Sequence, residues 1–219
     1  MRRSFTLLAA VFFAVSILAV GCTKNQAPIP APKPPEQAKN ENNKPVPKPA
    51  ETETTPADYF PITQGMTWEY EGEGNEYASF TRKVVFAADD KGQLREDNGG
   101  TVSAAVFKTT KDSVTRIFFM GEAYGEKNYL QEKPNENIII IKAPLKVGTK
   151  WEEPNGTREI VDVAASVYTP YGSFNDCLRI KITAKDSTLY EYYKKGVGLL
   201  KREFISGETT VTSRLKSVK

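Results

Sequence analysis

There is no histidine anywhere in the 219 residues. That absence excludes Ser-His-Asp and Cys-His catalysis outright and removes the commonest protein ligand of zinc, copper and non-haem iron. No metal and no cofactor is expected, and an enzyme is not the leading expectation. Carboxylate, lysine or tyrosine chemistry stays open. An excess of charge of either sign is also missing from the C-terminal block, residues 58–219. Taking Arg2, Arg3 and the five lysines of residues 23–57 from the 30 basic residues leaves 23. Taking the four glutamates of residues 23–57 from the 27 acids also leaves 23. The basic excess belongs to the first 57 residues, and nucleic acid is not an expected partner. No window of residues 58–219 carries a helical apolar stripe.

The single long apolar run is Phe5–Val20, preceded by Arg2 and Arg3. At 16 residues it falls short of the roughly 20 that span a bilayer, and with its positive flank it reads as a secretory signal. Leu18-Ala19-Val20-Gly21-Cys22 resembles the lipobox of bacterial lipoproteins, although Ala19 stands where Leu is usual. The resemblance implies cleavage between Gly21 and Cys22 and a diacylglycerol on Cys22. Residues 1–21 are then a signal peptide, and the expected localisation is extracytoplasmic, lipid-anchored to the cell membrane or to an outer membrane where the host has one. With Cys22 so committed, Cys177 has no partner within the chain, and a small buried residue is the expectation for it.

Residues 22–57 hold nine of the 14 prolines and no aromatic residue. Too little apolar surface is present to offset the entropy of ordering, so a disordered Pro-rich linker is expected. Polyproline II rises about 3.1 Å per residue, which suits a spacer lifting a domain off a membrane. A Pro-rich ligand for a recognition groove is the rival use.

Residues 58–219 suffice for one sizeable core. Runs rich in Val, Ile, Thr, Tyr and Phe recur every 10 to 12 residues between Gly, Asn and Asp. Thirteen candidate strands result, one of them at 124–131, and the expected fold is an all-β antiparallel meander forming a sandwich or a half-closed or closed barrel. Asp89-Asp90-Lys91-Gly92 suits a type I turn with a glycine bulge. Asn155-Gly156 and Ser206-Gly207 are hairpin signals. Pro61-Ile62-Thr63-Gln64-Gly65-Met66-Thr67-Trp68-Glu69 also echoes Pro144-Leu145-Lys146-Val147-Gly148-Thr149-Lys150-Trp151-Glu152. Two equivalent halves, 58–142 and 143–219, are a reading of that echo.

Asp58-Tyr59-Phe60-Pro61-Ile62-Thr63-Gln64-Gly65, with Trp68 and Tyr70, resembles the "YFPL…G…W.Y" opening of an uncharacterised group of bacterial cell-envelope lipoproteins. Residues 169–178 and 193–201 resemble segments of the same group. The resemblance implies a β fold and brings no activity with it.

Candidate sites are few. Glu69, Glu71 and Glu73 share one strand face and with Glu76 could hold a hard cation such as calcium; a solvated face is the simpler account. Ser213 and Lys216 have the S-x-x-K spacing of serine acyl-transferases, but in a strand residues three apart face opposite sides. Trp68, Trp151, Tyr190, Tyr192, Tyr193, Phe118 and Phe119 could stack on sugar or line an apolar cavity. Core positions are expected for most, and Trp68, Trp151, Tyr190 and Tyr192 are the candidate ligand surface. The functional expectation is a binding module for an envelope protein, a wall polymer or a small ligand. A carrier or chaperone for lipid or lipoprotein, with an apolar cavity, is the alternative, and a carboxylate-based hydrolase comes third.

Overall fold

The computed structural model describes residues 53–219. The signal segment, the Gly21–Cys22 junction and most of the Pro-rich stretch lie outside the described residues. A 3-10 turn, Pro56–Tyr59, opens the domain, with Thr55 N–H donating to the Asp58 carboxylate at 2.8 Å. Pro56 is buried, so the folded unit takes in residues that composition alone assigns to the linker.

Twelve strands follow: β1 (Thr67–Glu73), β2 (Phe80–Ala88), β3 (Lys91–Asp97), β4 (Val102–Thr109), β5 (Ser113–Met120), β6 (Ile138–Lys142), β7 (Lys150–Glu153), β8 (Gly156–Thr169), β9 (Gly172–Thr183), β10 (Thr188–Lys194), β11 (Gly198–Ser206) and β12 (Thr209–Val218). The all-β antiparallel expectation holds. The strands form one sheet, ordered β6-β5-β4-β3-β2-β1-β12-β11-β10-β9-β8-β7. Two six-stranded meanders, β1–β6 and β7–β12, are therefore joined where the first strand pairs with the last. The edge strands β6 and β7 come together through a side chain, the Trp151 indole N–H donating to Ile139 O at 2.9 Å. The result is a nearly closed barrel.

The expected strand at 124–131 does not form. That segment is a loop laid over the outer face of β3–β5. The Gln93 amide accepts from Tyr129 N–H at 2.6 Å and donates to Lys127 O at 2.8 Å, so one side chain meets backbone demands that a ladder would otherwise meet. Beneath the loop a second apolar cluster packs Ala104, Val106, Phe118, Ala123, Tyr129 and Leu130.

The turns sit at their expected places with their residues shifted. Glu153 pairs with Gly156, so Pro154 and Asn155 form the β7–β8 loop. Gly156 serves close approach instead: a Cβ there would lie 2.1 Å from Thr183 O. Gly92 makes no left-handed bulge. It lies in β3, where a Cβ would meet Ile62 at 2.7 Å, and Asp89 supplies the positive φ of the β2–β3 turn.

The two echoing segments fold alike. Gly65 has φ 90° and donates to Val84 O at 2.8 Å, while Gly148 has φ 88° and donates to Ile160 O at 2.9 Å. Each glycine is followed by a strand whose tryptophan is buried and gives its indole N–H to a backbone carbonyl: Trp68 to Val197 O, and Trp151 to Ile139 O. Each tryptophan also stands opposite an arginine on the next strand, Trp68 opposite Arg82 and Trp151 opposite Arg158.

Candidate functional site

Residues directly opposite on paired strands share a face, so Arg82 and Arg158 point inward with the two indoles. The barrel interior is accordingly divided. Trp68, Val84, Val114, Trp151, Ile160, Leu178, Ile180, Leu200 and Leu215 are packed into a dry core. Next to it lies a chain of ion pairs built from inward positions on six strands.

Arg82 on β2 gives Nε and Nη2 to Glu96 Oε2 on β3. Arg202 on β11 lies 3.7 Å from Glu96 Oε1 and donates Nε–H to Glu191 Oε1 on β10 at 3.2 Å. Arg158 on β8 donates Nη1–H to Glu191 Oε2 at 2.8 Å, and its Nε lies 2.8 Å from Glu153 Oε1. The Tyr193 hydroxyl donates to Glu191 Oε2 at 2.9 Å. The chain thus runs Arg82–Glu96–Arg202–Glu191–Arg158–Glu153 from one meander to the other.

Buried charges persist only when paired and hydrogen-bonded. Burial raises the Glu191 carboxyl, but Arg158 and Arg202 outweigh it and, with the Tyr193 hydroxyl, hold it down at about 2. Glu96 is pushed up by burial and pulled further down by Arg82 and Arg202. Tyr193 is raised, first by burial and then by the Glu191 charge. A general acid near neutral pH needs a raised carboxyl; both carboxyls here move the other way.

This network borders a cavity of about 180 Å³. Phe60, Leu94, Phe107 and Ile140 form its apolar wall, and Arg82, Arg158, Arg202, Glu96 and Glu191 its charged one. Side-chain exposure orders the charged groups: Arg82, Arg158 and Glu191 are at most 10% exposed, while Glu96, Arg116 and Arg202 are about three times more open. The first three are the most enclosed of the charged groups and the second three the more open ones. Arg116 stacks over the Phe119 ring at 5.1 Å and gives Nε–H to Glu136 at 2.6 Å. A groove of about 260 Å³ on another side, lined by Tyr77, Leu189 and Phe204, also reaches Glu96 and Arg202.

The residues proposed as a ligand surface are not gathered here. Trp68 and Trp151 are core, 3% and 5% exposed, with their indole N–H groups spent on backbone carbonyls. Tyr192 points outward as the alternation requires, yet it is 8% exposed beneath Arg179 and Lys201. Tyr190 shares that outer face and lies under Arg179, the guanidinium 4.1 Å from the ring centre. Phe118 belongs to the outer cluster and Tyr193 to the interior. Glu69 pairs with Lys219, and Glu71 and Glu73 with Arg214, which makes their face a salt-bridged surface. Ser213 donates to Ala78 O at 2.7 Å. Cys177 is fully buried, and burial raises its thiol.

None of the cavity charges is among the residues singled out from the sequence. Their signal is phase. In Phe80-x-Arg82-x-Val84, Leu94-x-Glu96, Arg158-x-Ile160 and Leu200-x-Arg202 a charge occupies the same alternating register as core residues.

The class so defined is an all-β, nearly closed twelve-stranded barrel with a charged interior cavity. No family model and no curated protein sequence matches the chain. Two solved structures are similar in fold, each at 15% identity over 74% of this chain and 98% of the other. One is a candidate exported protein with a YmcC-like fold from Bacteroides fragilis NCTC 9343, at a TM-score of 0.41. The other is a candidate lipoprotein from Parabacteroides distasonis ATCC 8503, at a TM-score of 0.43.

Proposed function

We propose that the chain is a lipid-anchored protein of the extracytoplasmic envelope whose β domain is a non-enzymatic binding module. The anchor rests on Arg2-Arg3, the apolar run Phe5–Val20 and the lipobox-like Leu18–Cys22, followed at once by the Pro-rich spacer. Membership of the "YFPL…G…W.Y" lipoprotein group belongs to the same proposal.

The observation that separates a binding module from a lipid carrier is the content of the barrel. Core side chains fill one part, and the remaining space has paired arginines and glutamates along one wall and Phe60, Leu94, Phe107 and Ile140 along the other. An acyl chain in that space would desolvate charges without giving them a partner, which is costly. A polar or charged group can be received there.

The test is crosslinking of the intact, tethered protein in its host, with mass-spectrometric analysis of both captured protein and co-purified lipid. Capture of a defined partner or polar ligand without stoichiometric lipid is the expected result. Stoichiometric lipid and no partner would replace this function with the carrier. In parallel, Cys22→Ser should accumulate as unprocessed, unlipidated precursor; unchanged processing and membrane retention would remove the anchor.

A further inference from the structure

We propose that the barrel cavity is a binding site for a small organic carboxylate. This rests on the β domain being a binding module, and it names the chemistry that module receives.

Three observations converge. The first is charge. Four arginines line the cavity against two carboxylates, Glu96 and Glu191. The balancing acids of Arg116 and Arg158, Glu136 and Glu153, stand behind the wall and not on it.

The second is unspent donor capacity. A guanidinium carries five N–H donors. Arg82 spends Nε and Nη2, Arg158 spends Nη1 on Ile140 O and Glu191, and Arg202 spends Nε. Among the described residues, Arg82 Nη1, Arg158 Nη2 and Arg202 Nη2 have no hydrogen-bond acceptor. Paired guanidinium N–H groups match the two oxygens of a carboxylate.

The third is shape. The opposite wall is Leu94, Phe107 and Ile140, with the Phe119 ring beside Arg116. That surface suits a hydrocarbon body and offers nothing to a mineral anion. A volume of about 180 Å³ has room for a compact carboxylate. Binding is by exchange: the carboxylate displaces water from the guanidinium N–H groups, and no covalent step is involved.

The probe is sodium benzoate, titrated calorimetrically into the full-length lipidated protein in detergent. Benzamide is the neutral isostere and inorganic phosphate the body-less anion. Two variants accompany the wild type. Arg116→Gln removes one of the more open guanidinium groups. Ser103→Leu fills the cavity from its lining while keeping every charge, and thermal unfolding establishes that both fold.

Benzoate should saturate the protein in the millimolar range, at least tenfold more tightly than benzamide or phosphate. Arg116→Gln should weaken it about tenfold, the worth of a lost charge-assisted contact, and Ser103→Leu should abolish it. Equal binding of benzoate and benzamide, phosphate as tight as benzoate, binding indifferent to both variants, or no saturation by about 10 mM would each overturn the carboxylate site; that ceiling is near the weakest affinity worth a few kcal/mol. A partner captured by crosslinking in the absence of benzoate binding would leave the binding module standing and remove this site alone.

Discussion

Arg158 on β8 reaches across the whole of β9 to give Nη1–H to Glu191 on β10 at 2.8 Å, and neither side chain is more than 10% exposed. A guanidinium at the end of a long stem can bridge two strands and still hold a second acid, Glu153, with Nε. Through Arg202 and Glu96 the same chain of charges continues to the other meander. The barrel is thus tied across its interior by ion pairs at the place where it is not filled by apolar side chains.

Removing Arg158 should therefore be among the costliest single changes in the domain. Arg158→Met leaves Glu153 and part of Glu191 buried without a counter-charge, and the expected loss is about 3–5 kcal/mol in urea unfolding. Arg158→Lys should recover only a fraction, because one ammonium cannot hold two acids in fork geometry. The double variant Arg158→Met/Glu191→Gln should cost less than the sum of the two single changes. Additive losses would mean that the two groups do not interact.

Acid should weaken the fold in a defined window. The folded Glu191 carboxyl lies at about 2 against an ordinary 4.5, and Glu96 is displaced in the same direction. A depressed folded pKa contributes stability that is complete above the unfolded value and lost as pH falls through the folded one. Unfolding free energy should stay level from about pH 8 to pH 5, where the chain has no histidine to titrate. It should then decline between about pH 4.5 and pH 2. Glu191→Gln should flatten that decline. A slope between pH 6 and pH 7, or an unaltered acid limb in the variant, would count against the ion-pair chain as its source.

The outline of the barrel was legible in the sequence because strand alternation and turn residues are local signals. Eight of the eleven junctions between consecutive strands take only two to four residues, and Ser206-Gly207 or Asp89-Asp90 supply them within their own segments. The loop at 124–131 was not legible, since Tyr124, Tyr129 and Leu130 carry a strand-like composition. What decides its state is Gln93, more than 30 residues earlier, whose amide binds the Tyr129 and Lys127 backbone. The cavity was hidden for the opposite reason. Arg82, Arg158 and Arg202 are ordinary surface residues by composition, and only closure of the sheet turns their face inward. The use of Trp68 and Trp151 was not legible either, because an indole N–H suits a ligand as well as it suits the backbone carbonyls it meets here.

The two tryptophan turns should respond alike to substitution. Gly65 and Gly148 have φ of 90° and 88°, and nothing lies within 4 Å of a Cβ added at either. Alanine at each position therefore pays for backbone conformation alone, about 1–2 kcal/mol. The two losses should agree within a few tenths, since each glycine N–H is bonded to the equivalent carbonyl, Val84 O or Ile160 O. Gly156→Ala is the contrast: at φ 149° its Cβ would also sit 2.1 Å from Thr183 O, so the β9 backbone must move and the cost should exceed both. Urea unfolding of the three variants checks the order. A neutral Gly148→Ala beside a costly Gly65→Ala would show that the turns differ energetically despite their shared geometry, and that the second meander does not depend on its glycine as the first does.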